Sequence, residues 1–389
     1  MEREITDKLH TRFLLAQLLM DSFRDKLTVR DVKSALQHLP QGSDAYDVAY
    51  HGAMERIFAQ GKGSSIMAKK ILAWILCARR PLSTLELLHA LAVEPGDTDI
   101  DEDNILGTEL LLTICAGLVT IDEQSGSVRF VHYTTQEYLQ RNQRAWLPHA
   151  EIEITRSCTS YLSIDGLAAG PCSSQTDHEY RMKEFPLLSY ATVYWGPHLN
   201  QLMGTGHTAA LDDITVGALS LLLDSRRLSC ISQTLFMLNR SPSSSRLVRK
   251  EGEDFSGCHW IARFGLSPLL EQWIDRGYDL NKRDSSMRTP LSWAAKKGHS
   301  AIVKQLLDID KVDVDSKEEH GQTPLFLAAS DGHEAIVRLL LDIGKVDIDS
   351  KDNISQTPLS WAVRKGHNTI VKQLLDIDKV DVNAKDNYS

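Results

Sequence analysis

Residues capable of chemistry are plentiful in this chain, but few sit in a frame that activates them. Gly61-Lys62-Gly63-Ser64 holds a Gly-Lys pair. It lacks the G-x-x-x-x-G-K-[ST] spacing whose backbone amides cradle phosphates, so the stretch reads as a flexible loop. No Walker-type acid follows an apolar strand, and no G-x-S-x-G turn presents a nucleophilic serine. Asp308, Asp310, Asp313 and Asp315 have an acidic spacing that could suit calcium. The run lacks the central Gly and closing Glu of a calcium loop, and it returns at Asp376 to Asp381, so these read as solvated loop acids. His299, His333 and His367 recur at one step, too far apart to share a metal, and read as residues that order a helix–helix turn. The six cysteines are scattered with no C-x-x-C pair and read as buried free thiols. No catalytic constellation emerges. The expectation is no enzyme activity, no cofactor and no metal.

Composition narrows the class. The chain has 389 residues, enough for two or three domains, with 42% apolar and 24% charged side chains. A net charge of -9 argues against general nucleic-acid binding, which needs clustered cations. Met1-Glu2-Arg3-Glu4 carries no signal peptide, and no run of 18 apolar residues predicts a membrane span. The reading is a cytoplasmic protein without membrane or nucleic-acid partners.

The elements that position the side chains are clearest after residue 256. Thr289-Pro290-Leu291-Ser292-Trp293-Ala294-Ala295 recurs from Thr323 and again from Thr357, a step of 34 residues each time. Thr caps a helix and Pro occupies its first turn, where a missing N–H costs nothing. Gly298, Gly332 and Gly366 end that helix in the left-handed conformation glycine tolerates. Ile302, Val303, Leu306 and Leu307 then form the apolar stripe of a second helix. A worn copy begins at Ser256, and a further one starts at Lys379 and stops by Ser389, which predicts an uncapped last unit. The pattern resembles ankyrin repeats, helix pairs that bury their apolar faces by stacking. Such a stack offers a concave face to a protein partner. The candidate partner-binding residues there are Trp293, Lys296, Lys297, Phe326, Ser330, Asp331, Trp361, Arg364 and Lys365. Trp293 and Trp361 could equally be stack core. The cationic turn positions Lys296, Lys297, Arg364 and Lys365 suggest an acidic partner.

The first half is mainly helical. Ile5, Leu9, Phe13, Leu14 and Leu18 make one stripe, Thr28 and Asp31 box the next helix, and Pro40 to Ser43 break the pattern before a helix from Asp44 to Gln60. Helices are predicted over 65–78, from Ser83 through Ala92, and over 103–115, followed by a hairpin of strands 118–122 and 128–131. Three helices and a hairpin is the order of a winged helix. Its third helix holds no Lys or Arg, which disfavours DNA reading. Thr134 to Glu137 reads as a capping box for the next helix. Further helices are predicted over 152–162, 185–202 and 218–237, with a Ser-Pro-Ser linker at 241–245.

Trp74-Ile75, Arg80-Pro81-Leu82-Ser83, Glu86 to Ala92, Cys115 to Val119 and Val131-His132-Tyr133 through Leu139 resemble the region that follows the ATPase module in fungal NACHT–ankyrin proteins. Those are NLR-like members of the STAND class, and the region is often labelled a GPI inositol-deacylase winged helix. The resemblance covers most of residues 1–250. It implies that Phe13 to Ala16 belong to the end of a NACHT module, against which the rest could pack. It also implies a nucleotide-sensing role for His132, since His132, Gln136, Glu137 and Tyr138 match a His-x-x-x-Gln-Glu-[FY] motif. An imidazole at a strand-to-helix corner can hydrogen-bond a phosphate. The alternative is a histidine satisfied by its own helix cap.

The fold class expected is therefore mainly α: a helical segment (1–62), a winged-helix unit with a small β-hairpin (63–145), a helical connector (146–250) and a C-terminal ankyrin solenoid (251–389). The function expected is a non-catalytic interaction scaffold, the sensor-regulatory part of an NLR-like signalling protein. The alternative is a fragment of a nucleotide-switched STAND NTPase whose P-loop module lies outside this chain.

Overall fold

The computed structural model describes residues 28–37, 44–205, 209–238, 254–377, 380–385 and 387. The readings made for residues 1–27, Pro40 to Ser43 and the 241–245 linker lie outside them. The chain divides into two compact units, residues 1–157 and 158–389.

In the first unit, Thr28 opens helix α1 (Val29–Gln37): its hydroxyl accepts the Asp31 amide at 3.1 Å and donates to the Asp31 carboxylate at 2.6 Å. Helices α2 (Asp44–Ala59) and α3 (Lys62–Cys77) follow. The Gly61–Ser64 stretch is a correction to the sequence reading. Gly61 caps α3 and Lys62 begins it, so the residues read as a loop form its first turn. The cause is the apolar spacing of Ala68, Ile71 and Leu72, whose burial draws the helix back to the glycine.

Strand β1 (Leu82–Ser83) leads into α4 (Thr84–Ala92). Ser83 and Glu86 cap α4 reciprocally, at 3.2 and 2.8 Å, and Arg80 clamps both oxygens of Glu86. The third helix departs from expectation. Glu102–Asn104 is a short 3-10 turn, and α5 covers Thr108–Ile114 alone. Gly107, in an extended conformation, separates them. Strands β2 (Val119–Ile121) and β3 (Ser127–Phe130) form the expected hairpin, and β1 adds a third strand, in the order β1-β3-β2. A two-residue strand has no period to read, which is why the sequence did not show it. Helices α6 (Tyr133–Arg141) and α7 (Gln143–Trp146) close the unit over a core that includes Leu72, Trp74, Leu87, Leu111, Val128 and Leu139.

The unit boundary falls within α8 (Ala150–Leu162). The second unit continues with α9 (Gln175–Glu184), α10 (Leu188–Met203), α11 (Ala209–Leu223) and α12 (Ser225–Leu238). Helix α9 was not anticipated. Its signal was Ser174, whose hydroxyl accepts the Asp177 amide at 3.1 Å.

Four helix pairs follow: α13 (Gly257–Phe264) and α14 (Ser267–Asp275), α15 (Pro290–Lys297) and α16 (Ser300–Leu307), α17 (Pro324–Asp331) and α18 (Glu334–Asp342), α19 (Pro358–Lys365) and α20 (Asn368–Leu375). First helices pack on first helices and second on second, making two layers. The caps are as expected. Thr289, Thr323 and Thr357 accept the amides of Ser292, Phe326 and Ser360 at 3.2 to 3.3 Å. Gly298, Gly332 and Gly366 have φ of 81°, 83° and 77°. Helix α10 packs on α13. Gly196 lies so close that an added Cβ would meet the Phe264 ring, and Asn200 donates to the Phe264 carbonyl at 2.8 Å.

Candidate interaction face of the repeat stack

Polar groups stitch one repeat to the next at a constant step. His299, His333 and His367 each direct Nε2 at a carbonyl of the preceding repeat, Arg263, Lys296 and Ser330 respectively, at 2.9 to 3.2 Å. They order the turn, as expected, but across repeats rather than within one. The loop acids are more than solvated. Asp308, Asp310 and Asp313 are exposed, but Asp315 is part-buried and accepts the Asp347 amide at 3.0 and 3.1 Å. Asp349 does the same for Asp381.

A second acid series escaped the sequence reading. Asp284, Glu318 and Asp352 are buried, and they also stand 34 residues apart. Asp284 accepts the amides of Ser286 and Arg288 and the indole N–H of Trp293. Asp352 accepts those of Ile354 and Gln356. Glu318 accepts the His320 amide at 2.7 Å and pairs with Arg288 at 3.2 Å. The common step was the signal that could have found them. Glu318, Glu319 and His320 bring three oxygen or nitrogen ligands within 4.8 Å of one another, but Glu318 is already engaged by Arg288.

The nine candidate partner residues lie on three first helices, α15, α17 and α19, three on each. Around α15, Trp293 is 5% exposed, Lys296 part-buried and Lys297 exposed. The guanidinium groups of Arg263 and Arg288 stand 5.1 and 5.3 Å from the Trp293 ring. Neither arginine was singled out from sequence; they come from different repeats, and folding brings them to one ring. Burial and neighbouring cations lower the basicity of Lys296 and Lys297, and the Arg263 guanidinium falls to about 10. In α17, Phe326 is fully buried, Ser330 part-buried and Asp331 exposed. In α19, Trp361 is part-buried, 6.0 Å from the Phe326 ring, with exposed Arg364 and Lys365 at 5.4 and 5.6 Å from its own. Trp293 and Phe326 are thus packing residues of the stack. The polar edge they support is what a partner could touch.

In the first unit, His132 caps α6. Its Nδ1 accepts the Thr134 amide at 3.3 Å and lies 2.9 Å from the Thr134 hydroxyl, which in turn meets the Tyr50 hydroxyl at 2.6 Å. This corrects the cap assigned to Thr134, which falls in the first helical turn. An open cleft of about 340 Å³ beside α3 is lined by Lys69, Lys70, Trp146 and Glu153. Lys70 is paired with Glu94 at 2.7 Å and Lys69 sits over the Phe58 ring. The thiols are buried except Cys77, which is part-buried. Desolvation pushes Cys77, Cys115 and Cys258 up to about 12, a range in which they are inert. Among the described residues, no helix is long and apolar enough to cross a membrane.

The chain carries C-terminal ankyrin repeats and a winged helix domain of a named type. The family model described as ankyrin repeats matches in three copies over residues 258–352 and 310–386. The model described as GPI inositol-deacylase, winged helix domain, matches residues 54–147. That domain is not catalytic by itself.

Among curated proteins, the chain is similar to "Azaphilone pigments biosynthesis cluster protein L" of Monascus ruber, 33% identical over 146 residues, covering 33% of this chain and 30% of that protein. It is also similar to "Acyl-CoA-binding domain-containing protein 1" of Arabidopsis thaliana, 38% identical over 71 residues, covering 17% of this chain and 21% of that protein. "Putative glutaminase 2" of Caenorhabditis elegans is 40% identical over 58 residues, 15% of this chain and 10% of that protein. The chain thus spans less than a third of the length of these relatives.

Proposed function

We propose that this chain is a non-catalytic interaction scaffold whose ankyrin stack binds a protein partner along its first-helix layer. One observation carries the reading. Lys297, Asp331 and the Arg364–Lys365 pair recur exposed at the same helix end in successive repeats, above side chains locked by packing and hydrogen bonds. A rigid row of polar groups on a fixed frame suits recognition with little ordering cost. The ankyrin repeats favour protein binding over catalysis, and the winged helix supports a regulatory part of an NLR-like, NACHT-associated protein. The similarity to a Monascus ruber protein fits a fungal source, and a cytoplasmic location remains part of the proposal. The four segments 1–62, 63–145, 146–250 and 251–389 are its working division.

The test places a photo-crosslinking residue at Lys297, Ser330 or Arg364 and, as controls, at the exposed second-helix positions Lys304, Arg338 and Lys372. A partner captured from the first set alone, and binding less tightly to a Lys297→Glu, Arg364→Glu variant when purified, supports the reading. Capture equally from both sets, or from neither, counts against it.

The second reading, part of a nucleotide-switched STAND NTPase, draws support from the strand-to-helix position of His132. Calorimetry with ADP and ATP tests it in this chain. Binding removed by His132→Ala would favour it, and no heat of binding would leave His132 as a helix cap.

A further inference from the structure

The charge on the first-helix edge is uneven. Arg263 and Arg288 stand over the Trp293 ring, and Lys296 and Lys297 lie within electrostatic range of both arginines. The acids that face them are Asp284, Glu318 and Asp331. Asp284 is buried and taken up by three N–H donors. Glu318, with its side chain fully buried, is taken up by Arg288 and the His320 backbone. Asp331, one repeat on, is left to face Lys296 and Lys297. Nε of Arg263 and Nε of Arg288 are both shielded from solvent and have no hydrogen-bond partner among the described residues. Donors of this kind are costly to leave unmet.

We infer that this edge receives an acidic peptide segment, with carboxylate side chains seated among Arg263, Arg288, Lys296 and Lys297 and the Trp293 ring beneath the guanidinium groups. The inference rests on the protein-binding reading above and names the chemistry of the partner. Burial is the main cause of the lowered basicity of Arg263, Lys296 and Lys297, neighbouring cations add to each shift, and a bound carboxylate would offset that second part. Trp293 cannot swing away, since its indole N–H is held by Asp284 at 2.8 Å. The platform is therefore preorganised, which lowers the ordering cost of binding.

The register adds a length. Arg364 and Lys365 repeat the arrangement over Trp361 two helix pairs further on. Packed helices stand about 8–10 Å apart, so the two cationic groups are on the order of 20 Å apart. An extended chain rises about 3.3 Å per residue, so acidic clusters about six residues apart would reach both. Asp331 lies between the two groups, so the middle of the segment should be uncharged or basic.

The probe is a fluorescein-labelled peptide of two triple-glutamate clusters around Gly-Ser-Gly, followed by fluorescence anisotropy with the whole chain at low salt. Controls are the same peptide with glutamine for glutamate and a nine-nucleotide oligothymidylate. The expected result is binding of the glutamate peptide that weakens at least about tenfold in Lys296→Glu, Lys297→Glu and again on raising salt to physiological strength. A charge-neutral Lys296→Gln, Lys297→Gln variant should fall between, which separates charge from misfolding, as does an unchanged melting temperature. Equal binding of the glutamine peptide, indifference to both variants, no binding at all, or tighter binding of the oligothymidylate overturns the inference. A partner crosslinked from Lys297 that lacks an acidic segment would also overturn it, while leaving the interaction reading in place.

Discussion

The carboxylate of Asp284 accepts the indole N–H of Trp293 at 2.8 Å across nine residues of one repeat. The same carboxylate holds the amides of Ser286 and Arg288, so one buried acid fixes both the loop and the ring on which two arginines rest. Asp284→Ala leaves three donors without their acceptor. The expected loss is on the order of 3 kcal/mol, read as a lowered urea midpoint. Asp284→Asn keeps one acceptor oxygen for the amides and should lose less. An Asp284→Ala midpoint equal to that of the unmodified chain would contradict this account.

Two glycines in identical turns should respond differently to a methyl group. Gly298 and Gly366 both have positive φ, which costs an alanine about 1 kcal/mol. At Gly298 an added Cβ would also stand 2.8 Å from Cε1 of His333, displacing the ring that donates to the Lys296 carbonyl. At Gly366 no atom of the described residues lies within 4 Å of the added Cβ. Gly298→Ala should therefore lower stability by about 2–3 kcal/mol and Gly366→Ala by about 1 kcal/mol. Equal losses in thermal melts would show that the histidine contact carries no weight.

His132 acts on its own helix through Nδ1. His132→Ala removes that acceptor and should cost about 1 kcal/mol, the usual value of a helix cap. His132→Asn supplies another short acceptor and should recover most of it. Native-state hydrogen exchange at the Thr134 amide reads the cap directly, and protection unchanged in His132→Ala would rule the bond out as a stabiliser.

His259 gives the stack a pH dependence. It is fully buried, and burial lowers its basicity below the ordinary value of 6.5. Its Nδ1 accepts the Ser256 amide and its Nε2 donates to the Arg288 carbonyl, an arrangement that suits the neutral ring. In the unfolded chain the ring protonates near 6.5, while in the folded chain it does so only at lower pH. The unfolded state then binds more protons, so stability is full above 6.5 and falls as pH drops from there toward the folded value. Denaturation midpoints between pH 7.5 and 5 should decline, and the decline should be shallower in His259→Gln. His299 is shifted in the same direction, chiefly by burial, so some slope should remain.

How far the sequence carried the reading depends on the range of the interaction. Thr289, Pro290 and Gly298 act on amides and carbonyls within a turn or two of themselves, so their types and spacing were enough to place the helix ends. The exact recurrence of that set located the stack and its worn first unit. The 3-10 turn at Glu102, the two-residue β1 and the first turn at Lys62 were lost because each depends on weak local preference settled by packing.

What the sequence determined by itself was therefore the repeat architecture and the winged-helix order, both set by local periodicity and capping chemistry. The tertiary structure decided which of those side chains meet. Arg263 and Arg288 lie 25 residues apart in the chain, yet stacking of α13 on α15 brings both to Trp293. Burial then set Trp293 and Phe326 in the core and left Lys297, Asp331, Arg364 and Lys365 at its edge, because the depth of a position depends on the neighbouring repeat and not on its own sequence.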